Sequence, residues 1–439
     1  MPTHPMSSLD AAWYHMDGPA NPAMVTAVAV TRRPLDFRRL HAVLARRLLR
    51  FERFRQRVVE RGLVISTPEW EDVPHFDIDA HLHRTALPTP GDETQLRALV
   101  GELASTPLDP ARPLWQVHVV DNVGGGGAMI LRYHHCLADG TAMMTVGAHL
   151  FDKPMPSPAT RLPHAGAAPA ERDLLDAAAL AAGEAGAVLS ELIKWPDPPS
   201  PFKGDFGPGK HVAWSVPVPI DDVKAIGAPA GAKVNDVLVA AVAGALRGYL
   251  KRHGIDVDRT TLRAMVPVDL RPPDRMGQLG NEFGLVILDL PVSAASPSQR
   301  LALAKARMDA IKRSPQAPAM RLLLDVFGRG PKVLEDLACE VFGSKASVVL
   351  TNVAGPRDTV RLAGVPVDRL LFCVPHPGDQ LGMGISIFSY RGMATLTVIA
   401  DAGLVPDPQA ITQAFHREFT AMLGRRNRRA ARRETVSSA

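Results

Sequence analysis

His134-His135-Cys136-Leu137-Ala138-Asp139-Gly140 stands at the exit of an apolar run, Ala128 to Tyr133, and its reading decides both fold and chemistry. The run predicts a strand, and neighbouring side chains on a strand face opposite ways. One imidazole of the pair can therefore face a cleft while the other supports the sheet. A neutral imidazole is the side chain best matched to accept a proton near pH 7. Asp139 suits either a helix cap or an ion pair with an arginine, and Gly140 permits a left-handed turn. A bare His-His pair reads as two satisfied structural groups; the complete seven-residue pattern favours a site.

Other chemistries fit these residues less well. Adjacent histidines point apart and no His-Glu-x-x-His spacing exists in the chain, so no metal centre is expected. Cys136 lies among apolar neighbours with no basic group placed to activate it, and a free cysteine is usually a small buried hydrophobe. Gly204-Asp205-Phe206-Gly207-Pro208-Gly209-Lys210-His211 nearly spells a phosphate loop. His211 replaces the hydroxyl residue that would hold magnesium, and a strand follows where a helix is required. No nucleotide site is expected.

Working outward, Trp115 to Asp121 alternates with period two, and Gly124 to Gly127 turn the chain into the apolar return strand, a hairpin. Thr141 to Leu150 reads as a buried helix and Arg38 to Arg57 as a basic amphipathic one. Phe151 to Ala170 is a Pro- and Ala-rich linker, Glu171 to Lys194 a strong helix former, and Pro196 to Gly209 a second break. A new unit follows, with strands expected at His211 to Val218, Leu262 to Val268, Phe283 to Leu290 and Ser347 to Asn352. Val234 to Arg252 predicts a long apolar helix, and Ile385 to Ser389 with Met393 to Ala400 a hairpin through Tyr390-Arg391-Gly392. Two mixed α/β halves joined by a linker are the coarse result.

The chain has 439 residues, 46% hydrophobic and 22% charged, which excludes a disordered or collagen-like protein. Three widely spaced cysteines argue against a disulfide scaffold. The net charge of +5 is local: Arg425 to Glu434 holds six Arg and one Glu, and the rest carries 44 charges of each sign. That tail is either a disordered solvated appendage or a dock for anionic lipid; without interleaved aromatics it does not read as a nucleic-acid site. The start of the chain lacks a basic, apolar leader, and the longest apolar stretch, Val237 to Leu246, is too short to span a bilayer. The expectation is a soluble cytoplasmic protein, with peripheral contact at the inner membrane or lipid droplets left open.

His134-His135-x-x-x-Asp139-Gly140 resembles the signature of the chloramphenicol-acetyltransferase-like acyltransferases, which include peptide-synthetase condensation domains. The flanking pieces are similar to the bacterial wax ester synthase/diacylglycerol acyltransferase family. They are Ser8-Leu9-Asp10, Pro113-Leu114-Trp115, Asn235-Asp236-Val237-Leu238 and Val266-Pro267-Val268-Asp269-Leu270-Arg271. Leu279-Gly280-Asn281, Thr351-Asn352-Val353-Ala354-Gly355-Pro356 and Ser389-Tyr390-Arg391-Gly392 follow in the family's order, with Asp401 after them. Ala354 in place of a proline, Ser8 in the N-terminal element and the four-glycine loop are departures.

The resemblance implies an α/β (α+β) fold of two chloramphenicol-acetyltransferase-like subdomains with mixed sheets, pseudo-dimeric, with an active-site tunnel at their interface. Residues 1–150 and 211–424 are the expected subdomains, 151–210 the linker with its helix at 171–194, and 425–439 the tail. It implies transfer of a long-chain acyl group from acyl-CoA to a fatty alcohol or diacylglycerol, with no further cofactor. His135 is then the general base, His134 a supporting residue, and Asp139 an organiser paired with Arg271. Gly140 shapes the turn. Asn281 and Asn352 are candidates for the oxyanion or substrate, or turn residues. Asn235 and Asp236 suit either a substrate passage or a helix cap. Alternatives are a condensation-type transferase fed by an acyl carrier protein, or a catalytically silent lipid-droplet protein.

Overall fold

The computed structural model describes residues 3–60, 67–152, 197–275, 277–327, 343–376 and 381–437. Two large mixed sheets organise them, with a three-stranded sheet of Thr3–Pro5, Glu69–Asp72 and Gln56–Val59 beside the first. The six-stranded sheet runs in the order Arg361–Leu362, Val365–Cys373, Met24–Thr31, Gly126–His134, Trp115–Val123, Leu82–Ala86. Its last pair is parallel and the others antiparallel. The seven-stranded sheet follows the path Phe283–Leu290, Leu262–Asp269, Val348–Ala354, Met383–Tyr390, Met393–Asp401, Lys210–Trp214, with Val218–Pro219 also on Met393–Asp401.

The two hairpins form as the sequence predicts. Gly124 and Gly125 take positive φ between Trp115–Val123 and Gly126–His134, and Arg391 and Gly392 do so in the second hairpin. Gly126 has no room for a side chain, because a Cβ there would lie 2.0 Å from the Thr31 carbonyl oxygen. Helix Val234–Arg252 spans the residues expected. Thirteen of its nineteen residues are buried, so it needs apolar partners nearly all round. It finds them in Ile220–Gly227, Pro297–Lys312 and Pro408–Ser437.

Four expectations are revised. The Arg38 to Arg57 helix ends at Arg47; Phe54 is drawn into the core and its carbonyl accepts the Trp115 indole N–H at 2.8 Å, which bends the chain into strand Gln56–Val59. The His211 to Val218 strand divides into Lys210–Trp214 and Val218–Pro219 around Pro217, which has no N–H to donate. The two halves interlock: Val365–Cys373, far beyond residue 150, pairs with Met24–Thr31 in the first sheet. The Arg-rich tail, expected as disordered, continues helix Pro408–Ser437, in keeping with the helix propensity of Arg and Ala. Most of the linker, its helix at 171–194 and Cys339 lie outside the described residues.

One apolar core joins the halves. Trp13, Leu131 and Tyr133 share it with Met265, Phe283 and Ile287. Histidines sit in and beside this framework, His376 buried and His118 half-buried, and desolvation pushes both down to about 3. Each is neutral when folded but titrates near 6.5 when unfolded. Between those values the unfolded state binds more protons, so stability is present above pH 6.5 and is lost as pH falls. The thermal midpoint is expected to drop steadily from pH 7 to 4.5, and a midpoint independent of pH over that range contradicts it.

Candidate active site

Strand Gly126–His134 ends at the first histidine, which pairs with Met24. His135–Leu137 then form a single 3-10 turn, and Asp139 caps helix Gly140–Leu150 through Oδ1, which accepts the Ala142 N–H at 2.8 Å. The other carboxylate oxygen reaches the second half. Oδ2 accepts Arg271 Nη2 at 2.7 Å and the Glu282 N–H at 2.9 Å. Arg271 also donates to the carbonyls of Gly280 and Gln278, and the Asp139 N–H donates to Gly280. Burial pushes the Asp139 carboxyl up, while the guanidinium and two backbone N–H groups pull it back. Gly280 holds φ +104°, a conformation few other residues adopt, and Ala138 bridges to it.

A second strap crosses beside the first. Asp10, fully buried on helix Ser8–His15, accepts Arg53 Nη1 at 2.7 Å from its own half. It also accepts both the N–H and the side-chain Nδ2 of Asn281, at 2.9 and 2.8 Å. Asn281 Nδ2 makes its other bond to the His135 carbonyl at 2.9 Å. The two amide hydrogens are therefore engaged, and the oxyanion role falls away from Asn281. Its work is to fix the histidine turn.

The two histidines have different surroundings. His134 Nδ1 accepts the Cys136 N–H at 3.1 Å, which places its proton on Nε2, 3.6 Å from Asp17 Oδ1. His135 is pinned through its backbone, its N–H donating to Ala23 at 2.8 Å. Its ring stacks on Trp13, with centroids 3.9 Å apart, and meets Phe283 of the second half edge-on at 5.9 Å. Only 8% of the residue is exposed. Burial, then His134, pushes its pKa down to about 3, while the Asn281 side chain and its own carbonyl act the other way. The result is a neutral imidazole held at the seam between the halves.

His134, His135, Asp139, Gly140, Arg271 and Asn281 thus come together. Asn235, Asp236 and Asn352 are engaged elsewhere. Asn352 Nδ2 donates to Asn235 Oδ1 at 2.7 Å, and Asp236 accepts the Lys233 N–H at 2.7 Å as part of a helix cap. Burial pushes the Cys136 thiol well up, which favours the thiol over the nucleophilic thiolate. Among the described residues no cluster of three or more His, Cys, Asp or Glu could hold a metal. Sequence reasoning does not place Asp10 or Trp13 in the site. The available signal is that Asp10 stands in the N-terminal motif and Trp13 shares its helix face three residues on.

Two interlocked mixed α/β halves with a paired-histidine turn at their seam form the chloramphenicol-acetyltransferase-like architecture that the sequence implies. The wax ester synthase/diacylglycerol acyltransferase catalytic domain matches residues 6–194, and the C-terminal domain of the same proteins matches 279–423. A Mycobacterium tuberculosis protein named probable diacylglycerol O-acyltransferase tgs2 is 32% identical over 350 residues, covering 71% of this chain and 75% of that one. The wax ester synthase/diacylglycerol acyltransferase structure from Marinobacter aquaeolei VT8 has the same fold, with a TM-score of 0.71 at 20% identity, covering 97% of this chain and 100% of the other. The starter condensation domain of rhizomide synthetase, solved with C8-CoA and Leu-SNAC, reaches 0.61 at 13% identity, covering 96% and 94%. The chain belongs to the wax ester synthase/diacylglycerol acyltransferase family.

Replacing Arg271 by Ala leaves the buried Asp139 carboxylate without its cation. Losing one partner of a buried pair costs about 3–5 kcal/mol. Chemical denaturation of Arg271→Ala should show a loss of that size, and a loss under about 1 kcal/mol, the range of exposed pairs, removes the strap from the argument.

Proposed function

We propose that this chain transfers a long-chain acyl group from acyl-CoA to the hydroxyl of a fatty alcohol or diacylglycerol, forming wax ester or triacylglycerol, with His135 as general base. The observation that carries the reading is the neutral imidazole of His135, fixed at backbone N–H and carbonyl and set where the two halves meet. The family supports acyl transfer, and the names of its members support these acceptors.

The chemistry fits one imidazole. An alcohol is far too weak an acid to be ionised beforehand by a ring whose own proton affinity burial has lowered. Proton transfer therefore accompanies attack: the hydroxyl proton moves to Nε2 as oxygen bonds the thioester carbon. The intermediate then expels the thiolate of CoA, which takes the proton back from the ring. Atoms and protons balance without an acyl-enzyme or a further cofactor. A dry environment protects the thioester from hydrolysis, and the partly buried Met143, Met144, Leu279 and Val353 beside the core supply apolar surface for a chain. At about 0.8 kcal/mol per buried methylene, a sixteen-carbon chain contributes on the order of 10 kcal/mol before entropy costs.

Purified protein with palmitoyl-CoA and either hexadecanol or dipalmitoylglycerol should yield the corresponding ester by thin-layer chromatography. His135→Ala should lose about 10²- to 10⁴-fold in turnover while remaining folded; normal turnover in that variant overturns the assignment. Competition between palmitoyl-CoA and palmitoyl-acyl carrier protein separates this donor from the carrier-protein alternative.

Among the described residues no single helix is long and apolar enough to cross a membrane; the bent pair Ile220–Ala230 and Val234–Arg252 passes by length and composition alone. Contact with lipid is assigned instead to the six arginines of the tail, at about 1 kcal/mol each near an anionic surface. Deletion of residues 425–439 should weaken sedimentation with anionic liposomes at low salt, and unchanged sedimentation refutes the tail's role.

A further inference from the structure

Helix Ser8–His15 lays an indole flat against the candidate base. The Trp13 and His135 rings are 3.9 Å apart at 17° between planes, and both residues are buried. Phe283 of the second half lies beside the stack, 5.9 Å from the imidazole and 6.1 Å from the indole. The indole N–H is buried and has no hydrogen-bond partner among the described residues. A leucine or phenylalanine, though smaller, would pack there without the unmet donor that burial disfavours. The property that indole brings, and those side chains lack or have more weakly, is a π face attractive to cations.

We propose that Trp13 is a positioning residue whose indole face stabilises the imidazolium that His135 becomes during acyl transfer. The inference rests on His135 as the base. Positive charge is on the ring only between the departure of the hydroxyl proton and its delivery to the CoA sulfur. The stack is an ordinary apolar contact with the neutral ring and gains an electrostatic attraction once the proton arrives. An interaction of that kind lowers the barrier and leaves ground-state binding alone.

Beyond the Asn281 side chain and the His135 carbonyl, which favour a positive charge from the edge of the ring, the other groups around it do not supply this attraction. His134, on the same segment, opposes a positive charge. On the N-terminal helix Asp10 is bound to Arg53 and Asn281, and Tyr14 faces His134. Asp17 accepts the Ala23 N–H at 2.6 Å and lies beside His134. Asp139 is paired with Arg271, and the Cys136 thiol is neutral because burial pushes it well up. The indole is what meets the ring face.

Site-specific incorporation of mono-, di- and tetrafluorotryptophan at position 13 tests this with little change in shape, so folding is not at issue. Fluorine withdraws charge from the π face. The expected result is a stepwise fall in kcat, about tenfold across the series, with KM for both substrates within twofold. Trp13→Phe should fall between the native enzyme and Trp13→Leu. A flat kcat across the fluorinated series, or a loss confined to KM, overturns the proposal. The readings separate cleanly: normal turnover in His135→Ala defeats the base assignment, whereas an inactive His135→Ala beside a flat series defeats only the role of Trp13.

Discussion

A buried carboxylate must be paired, and Asp139 is paired across the molecule. Its side chain starts the motif helix with one oxygen and takes Arg271 and the Glu282 N–H with the other. An isolated charge in this position would cost several kcal/mol, so the turn is stable only when the second half is docked. The same contact fixes Gly280, whose carbonyl accepts from both Arg271 and Asp139. Much of the site's geometry follows from satisfying this one anion.

The second strap solves a different problem. Arg271 holds the turn from the helix side, but the histidine lies one turn earlier and needs its own anchor. Asp10 provides it indirectly: the carboxylate orients Asn281, and Asn281 holds the His135 carbonyl. Arg53 neutralises Asp10 and also donates to the Cys136 carbonyl at 3.2 Å. The N-terminal helix thus ties strand, turn and second half together, and Ser8 extends the tie by donating to Asp325. Interlocking of the sheets through Val365–Cys373 makes separation of the halves costlier still.

Features governed by local rules were legible in the sequence. The paired-histidine turn, both hairpins and helix Val234–Arg252 are set by periodicity, turn glycines and helix propensity, all readable within a short window. Features governed by distant partners were not. Val365–Cys373 carries no mark that sends it to the other half's sheet; only the open edge of Met24–Thr31 explains it. The Arg38 to Arg57 pattern looks helical because its later apolar residues match the period, yet Phe54 goes under Trp115 instead. In the site, Asp139 with Arg271 was visible as an acid and a base in matched motifs. The engagement of both Asn281 hydrogens was not visible, because an asparagine's partners are decided by the fold. Asp236 is the opposite case: its helix-opening position fits a cap, and a cap is what it forms.

The histidine pair shows how one residue type acquires two roles at adjacent positions. His134 is still in the strand, so its ring follows the pleat toward Asp17 and its Nδ1 accepts the Cys136 N–H of the turn just begun. His135 is the first residue of the turn, and its ring is released from the pleat toward Trp13 and Phe283. Burial there favours the neutral ring. That is no disadvantage for a group that must not sit protonated or activate water while waiting. In the proposed reaction basicity is needed only when a hydroxyl and a thioester are both in place, and surroundings that favour the charged ring need act only then. Locating the ring at the seam gives each half a hand in that environment, with the indole from one and the phenyl ring from the other.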